Sequence, residues 1–197
     1  MLSNEFASFR LVGGTALSFY RGHRMSEDID LFSGVLYGSI DFDAIDSFFK
    51  KYYAYVSTNN SIIIGMGKTY YVGETENNRV KVDIYYTDEF IQEPVITDNI
   101  RMASLEEIIA MKIEVISNMG RKKDFWDIHE LIDEYSPDSM LKLHEQRYPY
   151  SHNRALIKEN FTNFSEADGE YDPICLRGKI WDVIKYDLEK FSKGIFL

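Results

Sequence analysis

Cysteine is almost absent from the chain: Cys175 is the single one in 197 residues. One thiol cannot close an internal disulfide, which fits a reducing cytoplasm rather than a disulfide-stapled secreted scaffold. No His or Lys motif surrounds Cys175, so it reads as an inert residue rather than a nucleophile. Apolar runs approaching the ~20 residues of a membrane span are missing. The opening Met-Leu-Ser-Asn-Glu-Phe lacks the basic-then-apolar layout of a signal peptide. Basic residues are in deficit, with 22 Lys and Arg against 32 Asp and Glu and a formal net charge of −10. A protein that grips long nucleic acid carries a basic face, so this balance argues against extensive wrapping. It leaves room for a local basic patch, a short contact with an RNA end, or a basic partner on the acidic surface. The histidines, His23, His129, His144 and His152, do not cluster in sequence and give no zinc spacing. No phosphate-binding loop of the Gly-x-x-x-x-Gly-Lys type, no Gly-x-Gly-x-x-Gly and no internal repeat is present.

What is there begins at residues 11 to 33. Phe9 to Val12 leans apolar and stops at Gly13-Gly14, as a buried strand entering a turn would. Thr15 to Tyr20 is helix-compatible, with Thr15 as a candidate cap. Asp28 to Phe32 alternates acid and apolar residues, so on a strand Asp28 and Asp30 share a face. Two adjacent carboxylates hold each other's ionisation back, and a cation relieves them. Mg²⁺ fits such an oxygen pair and brings substrate phosphates as further ligands. Glycines without Cβ atoms let the backbone approach a ligand, and the amides of the following helix N-terminus form an anion cradle. Together these are the parts of a magnesium–nucleotide site.

Gly-Gly-Thr-Ala-Leu followed by His-Arg-Met-Ser-Glu-Asp-Ile-Asp-Leu-Phe resembles the nucleotidyltransferases of the AbiEii/AbiGii toxin family, within the polymerase-β-like superfamily. The resemblance implies an α/β (α+β) fold, a mixed sheet flanked by helices and followed by a C-terminal helical region. It implies a third acid on a later strand. Here that acid would be Asp83, in Val-Lys-Val-Asp-Ile-Tyr. The residues agree: over Arg79 to Tyr86, Lys81, Asp83 and Tyr85 share one face, and Val80, Val82, Ile84 and Tyr86 the other.

Elsewhere, 41 to 54 reads as an amphipathic helix with Phe42, Ile45, Phe48, Phe49 and Tyr52 on one side. The stretches 61–67, 68–72 and 95–102 read as strands, and 74–78 as a hairpin turn. Ser104-Leu-Glu-Glu107 has the form of a capping box opening a helix that ends near Met119-Gly120. A second helix is expected over 122–135, then helices over 138–146, 153–164 and 178–191. The expected organisation is a sheet domain over 1–102 and a helical region over 103–197 completing the cleft.

Lys112, in a largely apolar helix, is expensive to bury without an anion partner. The resemblance gives it the nucleotide phosphates and sets Asp127, or less surely Asp124, at the site. The plainer reading is a structural Lys–Asp pair. Arg121, Lys122 and Lys123 form the dense basic run, read as a solvated helix start that would also suit an RNA acceptor. The expected chemistry is nucleotidyl transfer. Asp28 and Asp30 hold Mg²⁺ on the triphosphate, and Asp83 binds a second metal or acts as base on the acceptor hydroxyl. Gly13, Gly14, Thr15 and Ser26 bind phosphate oxygens. Arg24 and Lys112 neutralise the departing pyrophosphate. The resemblance further implies a toxin that places nucleotides from an NTP on an acceptor such as a tRNA 3′ end, restrained by an antitoxin. A small-molecule or protein hydroxyl as acceptor, or a nonenzymatic nucleotide-binding module, are the competing readings.

Overall fold

The structure is a computed structural model, and it describes residues 3–59 and 66–194. The chain divides into two compact units. The sheet unit takes Met1–Thr15 and Glu27–Ala103, and the helical unit takes Ala16–Ser26 and Ser104–Leu197. The early segment 16–26 therefore belongs with the second half of the chain.

The sheet unit is built on β1 (Arg10–Val12), β2 (Ile29–Ser33), β3 (Tyr55–Asn59), β4 (Gly67–Thr75), β5 (Asn78–Tyr86), β6 (Val95–Thr97) and β7 (Ile100–Met102). These form one mixed seven-stranded sheet in the order β3-β4-β5-β2-β1-β7-β6. β2 and β5 are parallel, as are β1 and β7; the other neighbours are antiparallel. Alternation gives each face its own chemistry. Leu31, Val82, Ile84, Tyr70 and Val72 are buried on one face. There α2 (Phe42–Tyr52) packs, with the Phe49 ring 4.8 Å from that of Tyr70. Asp41 starts α2 by accepting the Ala44 amide, a cap contributing about 1 kcal/mol. The Tyr70 hydroxyl donates to Asp46 at 2.6 Å, so its polar atom is satisfied within the helix–sheet contact.

The strand expected over 61–67 lies mainly outside the described residues. β3 was not foreseen, because it follows α2 after two residues in a stretch read as helix to Ala54. The single strand expected over 95–102 is a hairpin, β6–β7, turning at Asp98 and Asn99, both at positive φ.

The helical unit holds α3 (Leu105–Ser117), α4 (Lys122–His129), α5 (Pro137–Arg147), α6 (Arg154–Phe161) and α7 (Trp181–Lys193). Most of α1 (Gly13–Arg21) also lies in its segment 16–26. The Ser104 hydroxyl accepts the Glu107 amide and caps α3. Glu107 itself is buried with Arg147, their ions 2.6 Å apart. The left-handed residue ending α3 is Met119, not Gly120. Gly120 is needed for a different reason: its Cβ would fall 2.9 Å from Ile116 Cγ1. Helix α4 stops at His129, six residues before the expected end at Tyr135. Among the described residues no helix is long and apolar enough to cross a membrane.

Candidate active site

The expected site residues fall in both units. In the sheet unit, Asp30 on β2 and Asp83 on β5 are direct register partners on parallel strands. Partners in register point to the same face, so the two carboxylates lie side by side, one inter-strand spacing of about 4.8 Å apart at the backbone. This is the face opposite α2. Thr69 on β4 is the next partner of Asp83 and donates its hydroxyl to Oδ1 at 2.7 Å. Lys81, two residues back along β5, donates Nζ to Oδ2 at 2.6 Å. Both oxygens of Asp83 are thus engaged. Part burial works against the Lys81 ammonium. The bond to Asp83 and the fields of Asp83, Asp28 and Asp30 outweigh it and hold the lysine pKa above its ordinary value.

The glycine turn meets these acids directly. Val12 pairs with Asp30 across the antiparallel β1–β2 ladder, and Gly13 follows at φ +68°. A Cβ at Gly13 would sit 2.5 Å from Asp30 Oδ2. Glycine is therefore required twice, for the left-handed backbone and for the approach of the carboxylate. Helix α1 begins at this glycine, earlier than the expected cap at Thr15. The Thr15 hydroxyl donates to the Asp28 carbonyl, tying the first turn of α1 to the residue before β2. First-turn amides have no partner within their own helix, and here Gly13, Gly14 and Thr15 supply them beside Asp30.

The donor set suits a hard divalent cation: Asp30 and Asp83 on this face, with Asp28 just before β2 and its charge reaching Lys81, offer only carboxylate oxygens. A cation already rests there, the Lys81 ammonium. Among the described residues no three His, Cys, Asp or Glu side chains are closed into a ready cage.

The remaining candidates sit in the helical unit. Asp127 on α4 receives Arg24 in a two-point contact, Nε to Oδ1 at 2.6 Å and Nη2 to Oδ2 at 2.8 Å. His23 donates Nε2 to Oδ1 at 2.8 Å. Lys112 on α3 bridges the carboxylates, 2.6 Å from Asp127 Oδ2 and 2.6 Å from Asp124 Oδ1. All five side chains are buried. Two cations and two anions balance, which lets them remain ionised out of water. Burial raises the pKa of Asp127, but Lys112, His23 and Arg24 overcome it and hold the carboxyl far below its usual range. Asp124 is likewise lowered by Lys112 against its own burial. Lys112 is raised by the two aspartates despite complete burial. Both Asp124 and Asp127 thus partner Lys112, and Arg24 joins the same group. Ser26 is half-buried just after it.

The basic run departs from its expected solvated state. Lys122 is buried, its amide on Glu170 Oε2 at 2.7 Å and its ammonium 3.0 Å from Asp172. Arg121 is exposed, with Nε 3.2 Å from Asp124. Sequence reasoning set Lys81 on the Asp83 face without giving it a role, read His23 as structural without a partner, and passed over Thr69. Alternation along β5 puts Lys81 on the Asp83 face, whereas Thr69 reaches Asp83 only through the β4–β5 register. No local pattern ties His23 to Asp127.

The profile of the AbiEii nucleotidyltransferase toxins of type IV toxin–antitoxin systems matches residues 1–182. The chain belongs to the AbiEii nucleotidyltransferase toxin family. Its fold is shared with MenT4, a nucleotidyltransferase toxin of Mycobacterium tuberculosis, at TM-score 0.63 and 12% identity over 99% of this chain and 77% of that one. It is shared also with JHP933 of Helicobacter pylori, at TM-score 0.59 and 18% identity over 97% and 84% of the two chains. At those identities the likeness speaks for the fold alone. No curated protein is similar enough to count as a relative. As an AbiEii-family member the chain is a toxin-type nucleotidyltransferase, and the family's type IV systems pair a toxin with an antitoxin.

Proposed function

We propose that this AbiEii-family chain moves a nucleoside monophosphate from an NTP to an acceptor hydroxyl on the sheet face that carries Asp28, Asp30 and Asp83. The observation that carries the reading is the register of Asp30 with Asp83, with Gly13 pressed against the Asp30 carboxylate. Asp28, Asp30 and Asp83 would hold Mg²⁺. When bound, the ion would neutralise triphosphate charge and stabilise the attacking and leaving oxygens of an in-line displacement. The chain's own contribution is placement. The first-turn amides of α1 bind phosphate oxygens, and Gly13 allows the phosphate to lie against the acids. Thr69 holds Asp83 through Oδ1 and Lys81 holds it through Oδ2, which fixes the carboxylate on the face. For Lys112, Arg24 and Asp127 the proposal is that their mutual pairing holds α3, α4 and the segment 22–26 in one arrangement within the helical unit.

The proposed acceptor is a tRNA 3′ end, with a cognate antitoxin restraining the activity. Incubation with each labelled NTP, Mg²⁺ and total RNA tests this, with Asp28→Ala in parallel. Label on tRNA that disappears in the variant is the expected result. Label on protein or on small molecules would overturn the acceptor, and no label under any condition would overturn the activity. The charge of −10 and the burial of Lys122 favour one second reading, a hydroxyl on a protein or small molecule.

A further inference from the structure

We infer that Lys81 is the resident counter-cation of the acidic face: a divalent cation entering alone must displace it, and nucleotide phosphates relieve that competition by giving the ammonium a new anion. The inference rests on the nucleotidyl-transfer reading of this face and adds an order of loading to it.

The geometry makes the competition direct. Lys81 Nζ lies 2.6 Å from Asp83 Oδ2, and Asp83 Oδ1 already accepts the Thr69 hydroxyl. Each Asp83 oxygen already accepts one of these bonds, so a metal that approaches Oδ2 comes up against the Lys81 ammonium. Asp30 is the register partner of Asp83, and the charges of Asp28 and Asp30 reach the ammonium as well. A metal drawn by the same acids therefore meets a positive charge in its place, and like charges at that range oppose each other by about 1 kcal/mol even when fully solvated.

Lys81 is also able to leave. Its side chain is 35% exposed, against 17% for Asp83. Its ammonium sits on a flexible stem, unlike the buried Lys112, which two aspartates hold. A triphosphate brings several negative charges to the same face. The released ammonium can then pair with phosphate while the metal takes the carboxylates. Metal and nucleotide thus help each other bind, and the coupling is the same from either side. A lysine that merely fixes the Asp83 rotamer would give no such coupling.

Mn²⁺ titrations by calorimetry separate the two roles. They would be run on the wild type, Lys81→Met and Lys81→Arg, each with and without a non-hydrolysable α,β-methylene NTP. Thermal unfolding would check that each variant is folded. The wild type is expected to bind Mn²⁺ weakly alone and much more tightly with nucleotide. Lys81→Met should bind Mn²⁺ alone about fivefold or more tighter than wild type, with the nucleotide effect reduced by a similar factor. Lys81→Arg, which keeps the charge, should behave as wild type. Equal or weaker Mn²⁺ binding by Lys81→Met, or an unchanged nucleotide effect, would overturn the inference while leaving the nucleotidyl-transfer reading standing. Absence of Mn²⁺ binding in every protein, with and without nucleotide, would remove that reading and the inference together.

Discussion

Gly13 and Asp30 approach so closely that a methyl group does not fit between them, since a Cβ on Gly13 would lie 2.5 Å from Asp30 Oδ2. Gly22 has a similar backbone, φ +57°, but open space within 4 Å of its Cβ position. The two glycines separate backbone strain from displacement of the acid. Gly13→Ala and Gly22→Ala should each lose about 1–2 kcal/mol to the left-handed backbone. Only Gly13→Ala should also lose nucleotide transfer, on the order of a hundredfold, because the reacting groups are misplaced. Thermal unfolding beside a transfer assay checks both. Equal activity loss in the two variants would mean that the contact with Asp30 has no functional weight.

Lys112→Met leaves Asp124 and Asp127 buried with one fewer cation. Removing one member of a buried ion group costs about 3–5 kcal/mol. Denaturant unfolding should show a loss of that size. The acid side follows from the same pairing. Asp124 and Asp127 have folded pKa values below those of the unfolded chain, so their stabilisation is complete above about pH 4 and is lost as pH falls further. The wild type should lose stability steeply below that pH, and Lys112→Met should lose less there because it has less to lose.

His144 carries a second pH dependence. Its Nε2 lies 2.7 Å from Glu114 Oε2 and its Nδ1 2.8 Å from His152 Nδ1. Two ring nitrogens that close need one to lack a proton. Burial and the neighbouring His152 lower the pKa of His144, and Glu114 only partly opposes them. The folded state therefore resists a proton that the unfolded chain accepts near pH 6.5. Stability should be full above that pH and decline as pH falls from about 6.5 toward the lowered value. Melting temperatures measured from pH 7.5 to 5.5 should show this slope, and His144→Gln should flatten it.

The sheet face was legible because strand alternation is local. Asp28-Ile-Asp30 and Lys81-Val-Asp83 each announce a polar face, and the structure joins Asp30 to Asp83 across one ladder step. Element ends were less legible. Met119 takes the left-handed backbone, while the neighbouring Gly120 leaves room for Ile116. The Asp98-Asn99 hairpin was overlooked inside a run of strand-like residues, although both types tolerate that conformation. Long-range choices left no local trace. Nothing near Arg24 shows that it pairs with Asp127, and nothing near Lys122 shows that Glu170 and Asp172 cover it. Periodicity reports which way a side chain points, and only the fold decides what it meets.

The bonds from Arg24 to Asp127 span 103 positions of sequence. During synthesis the guanidinium leaves the ribosome long before its carboxylate is made, at roughly 5–20 residues per second. Segment 16–26 must wait, bearing a cation with no carboxylate to meet, while β2 to β7 and the first helix of the helical half are translated. The helical unit cannot finish folding co-translationally in order, and a fragment starting at residue 104 would carry Asp127 without either His23 or Arg24 to close around it.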